Sequence, residues 1–166
     1  DADDLIELMC NTAENRTREL GKLGDFESQE AQVLYRTLAL GALKYFLLKV
    51  DPKKRMLFNP DESIDFQGHT GPFIQYTHAR ICSILRKASQ LGLPMGLPEA
   101  QHPLVESEQQ LLLHLSLYSS RLRAAGDEMS PSVVSLYAFE LAKLYNQFYA
   151  EVSIFADLNP HAVQFR

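Results

Sequence analysis

Cysteine is scarce in this chain. Cys10 and Cys82 stand far apart and match no metal-ligand spacing. That excludes a disulfide scaffold and a thiolate metal centre, and both read as free thiols in a reducing cytosol. No apolar run is long enough to cross a bilayer. The opening residues, DADDLIELM, are acidic where a secretory leader starts basic. They also lack an initial Met, so the sequence reads as a piece of something longer. The catalytic punctuation of common enzyme classes is missing too. The tetrapeptide GHTG is not followed by the Lys-Ser/Thr of a phosphate loop, and no serine sits in a recognisable nucleophile turn. His69, His78, His102, His114 and His161 are scattered, with no third ligand at a metal spacing. Asp61, Glu62 and Asp65 lie close in sequence but read as loop decoration. A stand-alone hydrolase or metal enzyme is therefore disfavoured.

One further absence is local. The 166-residue chain has a formal net charge of −5, yet no acid occurs between Phe66 and Pro98, where Arg80, Arg86 and Lys87 are found. An acidic total argues against a bulk, sequence-blind nucleic-acid binder but leaves room for a local footprint. A chance cluster on a solvated helix face is the plainer explanation from composition alone.

What is present is helical periodicity. The length suits one domain, or one domain with an appendage. At 46% hydrophobic residues it can bury a core without disulfides or metal. Asp3 and Asp4 suit a helix start, and the first helix is expected to run to about Leu20, before Gly21 and Gly24. Ser28 is an expected N-cap for a second helix, with Glu30 in its first turn. Gly41 interrupts the apolar run of that helix and costs about 1 kcal/mol against Ala, which points to a closely packed neighbour. Asp51-Pro52 ends it. KKRMLFNPDESIDFQGHTGP reads as irregular, with two prolines and two glycines. Pro72 suits the first turn of the next helix, expected to Ser89. LGLPMGLPEAQHP reads as a connector. One helix is expected from Val105 to about Ala125, ending at Gly126. Ser130 is an expected N-cap before Pro131, and Asn159-Pro160 opens a last segment. The reading is all-α with one structured loop.

On the helix from Pro72, Ile74, Ile81, Leu85 and Ala88 form the expected core stripe. Phe73, Tyr76, Arg80, Ser83 and Lys87 form another. Aromatic faces stack on splayed bases, and arginine forks to phosphate or stacks, so this stripe suits unpaired RNA. Gly68 and Gly71 are expected to let loop backbone approach a ligand. Aromatics at helical spacing are also simply core, and spacing alone leaves both readings open. Further on, Tyr137, Leu141, Leu144 and Phe148 make one stripe; Phe139, Ala142, Asn146 and Tyr149 make a second. Such a helix is either sandwiched or meets a partner on one side.

Three blocks, GALKYFLL, LFNPDESIDFQGHTGPFIQYTHARICSILRK and PSVVSLYAFELAKLYNQFYAEV, strongly resemble the C-terminal part of arginyl-tRNA synthetases, a class I aminoacyl-tRNA synthetase family. The middle block, F-x-G-x-T-G-P then aromatic-x-Q-Y-x-H-A-R, is its most specific part. The resemblance implies a helical bundle of the class I synthetase anticodon-binding type, preceded by two helices and an irregular loop. It divides the chain into a tail of the catalytic half, residues 1–71, and an anticodon-binding bundle, residues 72–166. The ATP-handling motifs lie upstream in the family and its final helix lies beyond Arg166. The implied fragment therefore carries RNA-recognition surface but no adenylate chemistry. No cofactor is implied for it, and ATP with Mg is implied for the whole enzyme. The implied partner is tRNA(Arg), with arginine and ATP reached only through the upstream part; neither DNA nor a membrane is implied. Family anticodon contacts fall on Asp65, Phe66, Gln67, Gly68, His69 and Thr70 of the loop, and on Phe73 and Arg80 of the helix, with Tyr76 beside them. Lys87 extends the same stripe. Phe73 departs from the pattern, where the family more often has Tyr; stacking survives, but a hydroxyl hydrogen bond is lost. Every arginine codon has G in the middle, so every arginine anticodon has C at its centre; a protein serving all of them can read that one base, and the expected pocket is one that binds a flipped-out cytosine. The competing reading is a helical protein-interaction module binding through Phe139, Tyr149 and their neighbours.

Overall fold

The computed structural model describes residues 1–19, 21, 28–93, 103–157 and 160–166. Among them every regular element is helical, and no strand occurs. The order is α1 (Ala2–Glu19), α2 (Ser28–Leu48), α3 (Pro60–Ser63), α4 (Gly71–Gln90), α5 (Glu106–Ser116), α6 (Tyr118–Asp127) and α7 (Pro131–Glu151). A 3-10 turn, Ile154–Ala156, and α8 (Pro160–Phe165) follow. The expected end of the first helix at Leu20, the side-chain cap expected of Ser28, most of the LGLPMGLPEAQHP connector and Asn159 fall outside the described residues.

A first core forms between α1 and α2. Met9, Ala13 and Thr17 are spaced by four on α1 and are all buried, so one stripe of that helix faces inward. Opposite lie Ala31, Tyr35, Leu38, Ala39, Ala42 and Leu43 of α2. Part of the segment expected to be irregular folds into α3. Asn59 caps it by accepting from the Asp61 amide at 3.1 Å, and Ile64 just beyond it is fully buried in this core. The sequence signal was an Asn-Pro pair with two acids in the next turn, a helix start on a very short helix.

The α4 helix crosses α2 where two glycines meet. A Cβ on Gly71 would stand 2.4 Å from the Gly41 carbonyl oxygen. Gly71 thus serves an internal helix crossing, not the approach to a ligand expected of it. The close neighbour expected at Gly41 is α4: its Gln75 amide lies over that glycine and donates to the Thr37 carbonyl at 3.0 Å.

On its far side α4 meets α7, and α7 in turn packs on α5 and α6. The two apolar stripes of α7 are thereby both used, and the helix is sandwiched. The Tyr45 hydroxyl of α2 donates to the Ser135 carbonyl of α7 at 3.1 Å, tying the first core to the bundle. Three local expectations are corrected. Leu85 is 46% exposed and so stands off the core; Thr77 is the deeply buried residue in the middle of the helix. The single helix expected from Val105 breaks at Leu117. There Ser116 donates to the Leu113 carbonyl at 2.7 Å, Ser120 to the Leu117 carbonyl at 2.8 Å, and the Tyr137 hydroxyl to the His114 carbonyl at 3.2 Å. Side chains competing for helix carbonyls bend a helix in this way. The α6 helix runs to Asp127, one residue past its expected end at Gly126, and Met129 beyond it is left-handed (φ 48°). Ser130 has the extended backbone of an N-cap, but its hydroxyl pairs with Ser132 at 2.8 Å instead of an amide of the helix.

Candidate nucleic-acid interface

The loop from Asp65 to Thr70 is closed by its own hydrogen bonds. The Gln67 amide donates to Asp65 Oδ1 at 2.8 Å, an Asx turn. The Thr70 hydroxyl donates to the Asp65 carbonyl and accepts from the Phe73 amide at 3.3 Å. One side chain therefore ties the loop ends together and caps α4. A Cβ on Gly68 would lie 3.3 Å from Thr70 Cγ2 and 3.4 Å from Asp65 Oδ2, so a small residue fits best there. Lys49, just beyond the end of α2, donates to the His69 carbonyl at 2.8 Å. The loop is thus held rigidly where α2, α4 and α7 converge.

Beside it, Tyr76 and Arg80 form a ridge on α4. The Arg80 guanidinium lies 5.1 Å from the Tyr76 ring centroid and 4.5 Å from that of Tyr149 on α7. It donates to Asn146 Oδ1. Among the described residues Arg80 forms no ion pair with a carboxylate. Tyr76 is 41% exposed and Tyr149 42%. Large half-exposed rings around an arginine without a carboxylate partner make a surface suited to stacking and anion contact.

The ridge separates two clefts. The first, about 700 Å³, brings together Asp65, Phe66, Gln67, Phe73, Tyr76 and Arg80 of the expected residues. Arg16, Asp61, Glu62, Ile64 and Asn146 complete it. The second, about 790 Å³, holds Lys87 with Tyr76 and Arg80, the Lys87 ammonium lying 4.6 Å from the Phe155 ring centroid. Gly68 and Thr70 shape the loop and line neither cleft. His69 turns toward α2 and α7: its ring lies 3.9 Å from Phe139 and 5.7 Å from Tyr45. Burial against these rings, then the Lys49 charge, pulls its pKa below the ordinary imidazole value, and Glu140 opposes the shift. Phe73 is half-buried and packs on Phe139 at 5.3 Å between centroids; it belongs partly to the core.

Asn146 and Phe155 are not among the expected site residues, and Tyr149 is expected only in the protein-interaction reading. Asn146 and Tyr149 fall on the second stripe of α7 with Phe139, so their sharing a face was readable. That this face meets the α4 stripe was not. Asp61 and Glu62 read as loop decoration because they lie outside the acid-free stretch that begins at Phe66, yet the fold brings both into the first cleft beside the expected Asp65.

Residues 74–166, which contain the ridge and the second cleft, match the DALR anticodon binding domain. The chain belongs to that family. Its fold is the all-α DALR bundle, preceded by α1, α2, α3 and the loop. The whole chain is 49% identical over 168 residues to an arginine–tRNA ligase of Parabacteroides distasonis, spanning 28% of that protein. It is 48% identical over 168 residues to one from Bacteroides thetaiotaomicron, again over 28% of its length. Among solved structures, Thermus thermophilus arginyl-tRNA synthetase superposes with a TM-score of 0.80 at 29% identity, covering 99% of this chain and 28% of that one. This DALR chain thus spans little more than a quarter of the relatives it matches.

Proposed function

We propose that this chain is the anticodon-reading part of an arginine–tRNA ligase and that its first cleft receives the central cytosine of the tRNA(Arg) anticodon. The observation that carries the reading is the Tyr76–Arg80–Tyr149 ridge, with its charge unneutralised, beside a rigid loop on a bundle of the anticodon-binding family. Cytosine presents O2 and N3 as adjacent acceptors and N4 as a donor. Uracil carries a donor at N3. A guanidinium fork matches the cytosine edge and opposes that of uracil. Asp65, which lines the same cleft as Arg80, would supply an acceptor for the N4 amine, a pairing used elsewhere for cytosine. The acid-lined wall therefore has a use in an RNA site. Lys87 in the second cleft would meet phosphate, and Tyr76 and Tyr149 would stack on neighbouring bases.

On this reading residues 1–71 are the tail of the catalytic half and residues 72–166 the anticodon-binding bundle. The family match over 74–166 supports that division. Aminoacylation with arginine, ATP and Mg²⁺ belongs to the longer protein, which would act in the cytoplasm. The described residues do not fit the metal: among them no group of three or more His, Cys, Asp or Glu side chains is placed to hold a metal ion. No described helix is long and apolar enough to cross a membrane.

The test is fluorescence anisotropy with a labelled tRNA(Arg) anticodon stem-loop RNA carrying C or U at the anticodon centre. Arg80→Ala should weaken binding to the C form by roughly 1–3 kcal/mol and narrow the preference for C. Affinity should fall with rising salt as phosphate contacts release counterions. Equal binding of both RNAs would sink the reading and favour the protein-interaction module instead.

A further inference from the structure

We propose that Asn146 is a positioning residue for this recognition: it holds the Arg80 guanidinium in the orientation that meets the base. The inference rests on the reading of the first cleft given above. Three hydrogen bonds carry it. Asn146 Nδ2 donates to the Ala142 carbonyl at 2.9 Å, within α7, and to Thr77 Oγ1 of α4 at 2.7 Å. Asn146 Oδ1 accepts from Arg80.

The identity of each amide atom follows from its neighbours. A backbone carbonyl only accepts, and a guanidinium only donates. The amide nitrogen must therefore face Ala142 and the amide oxygen must face Arg80; the flipped amide would set acceptor against acceptor and donor against donor. Thr77, 3% exposed, is oriented in turn: its hydroxyl proton goes to the Phe73 carbonyl at 2.9 Å, leaving a lone pair for Asn146. The chain of donors runs one way, from Arg80 through Asn146 and Thr77 to the backbone of α4. Both amide hydrogens are used, so Asn146 cannot turn without breaking two bonds.

The neutral amide matters as much as its geometry. A carboxylate at this place would also accept from Arg80, but it would neutralise the cation and repel phosphate. An amide fixes the guanidinium and leaves its charge for the RNA. With Tyr76 and Tyr149 flanking, one N–H of Arg80 anchors the group and the others remain for a ligand. Immobilising a long side chain before binding removes an ordering cost from the complex.

A double-mutant cycle on the full chain tests this, with the stem-loop RNA carrying central C as probe and thermal melting as control. Asn146→Ala should weaken binding roughly three- to tenfold, and should have no further effect in an Arg80→Ala background. Asn146→Asp keeps the volume and the contact with Arg80. It loses both Nδ2 donor bonds and sets a carboxylate oxygen against the Ala142 carbonyl, so it should melt below wild type. At a temperature where it is folded it should bind at least as poorly as Asn146→Ala, with that loss vanishing in the Arg80→Ala background, which a merely structural role would not produce; it also serves should the alanine variant fail to fold. Wild-type affinity for Asn146→Asp would overturn the proposal. So would an Asn146→Ala loss of equal size with and without Arg80. Should Arg80→Ala itself leave binding unchanged, the cleft reading fails and the positioning role falls with it. Should Arg80→Ala weaken binding while both Asn146 variants do not, only the positioning role is lost.

Discussion

Replacing Gly71 by alanine should be the most instructive single perturbation of the fold. The added Cβ would lie 2.4 Å from the Gly41 carbonyl oxygen, 2.8 Å from its carbonyl carbon and 3.1 Å from the Ala42 nitrogen. The first of these is roughly 1 Å inside ordinary contact. All three atoms are backbone in the interior of α2, so none can swing aside, and the helices must part. Overpacking of this kind costs up to about 3 kcal/mol. Restricting the unfolded chain returns up to about 1 kcal/mol, leaving a net loss of about 2 kcal/mol. For a chain of this size that lowers Tm by roughly 4–8 °C. Gly41→Ala is the internal control. Its Cβ would meet only the end of the Gln75 side chain, 2.4 Å from Nε2, which can rotate away. The hydrogen bond of Gln75 to Thr37 would be forfeited at about 1 kcal/mol, while alanine returns about 1 kcal/mol of helix propensity. Denaturant unfolding of both variants should show Gly71→Ala clearly destabilised and Gly41→Ala within about 1 kcal/mol of wild type. The reverse order, or a Gly71→Ala variant as stable as the parent, would refute the close-crossing argument.

Three further outcomes are expected. Phe73→Ala should cost stability as well as RNA affinity, about 3 kcal/mol by denaturant titration, because Phe73 packs on Phe139; Phe73→Tyr should stay within about 1 kcal/mol, and an Ala variant of unchanged stability would place the ring outside the core. Glu108→Ala should destabilise by about 3–5 kcal/mol, since Glu108 is 3% exposed and takes the Arg166 Nε donor at 2.6 Å from a side chain that is 8% exposed; a shift under about 1 kcal/mol in the same titration would show that the other contacts of Arg166, among them its 2.7 Å pair with Asp157, suffice to hold it. His69 has a lowered folded pKa, so protons bind the unfolded state more tightly and its contribution to stability, full above the free imidazole value near 6.5, is lost as pH falls through the folded value. Unfolding midpoints of wild type and His69→Gln at pH 7.5 and 5.5 should show the steeper acid loss in wild type, and equal slopes would remove His69 as the source.

Helix content and the stripe of α4 were legible in the sequence because both depend on spacing along one segment. Apolar residues at three- and four-residue steps, Pro at the starts of α4 and α7 and the acids opening α1 act within a turn or two of their own positions. The loop-plus-helix half of the candidate site was legible for the same reason: Asp65 to Arg80 is nearly continuous chain. Gly41 even announced a close neighbour, since a glycine inside an apolar helix needs a reason. What spacing could not give was the identity of partners. That Gly41 meets Gly71, that the Tyr137 hydroxyl helps bend α5 away from α6, and that Asn146 faces Arg80 are matters of which segments come together. Phe73 and Phe139 looked like ligand or partner surface until each was seen to cover the other. Asp61 and Glu62 lie outside the acid-free stretch in sequence but inside the cleft in space. The order of residues along the chain was enough for the helices and the chemistry each face offers, because those follow from local backbone and side-chain preferences. Only the packing of the whole chain settled which faces meet, hence which aromatics are buried and that Arg80 lies between Tyr76 and Tyr149, because packing and hydrogen-bond satisfaction are decided between segments far apart in the chain.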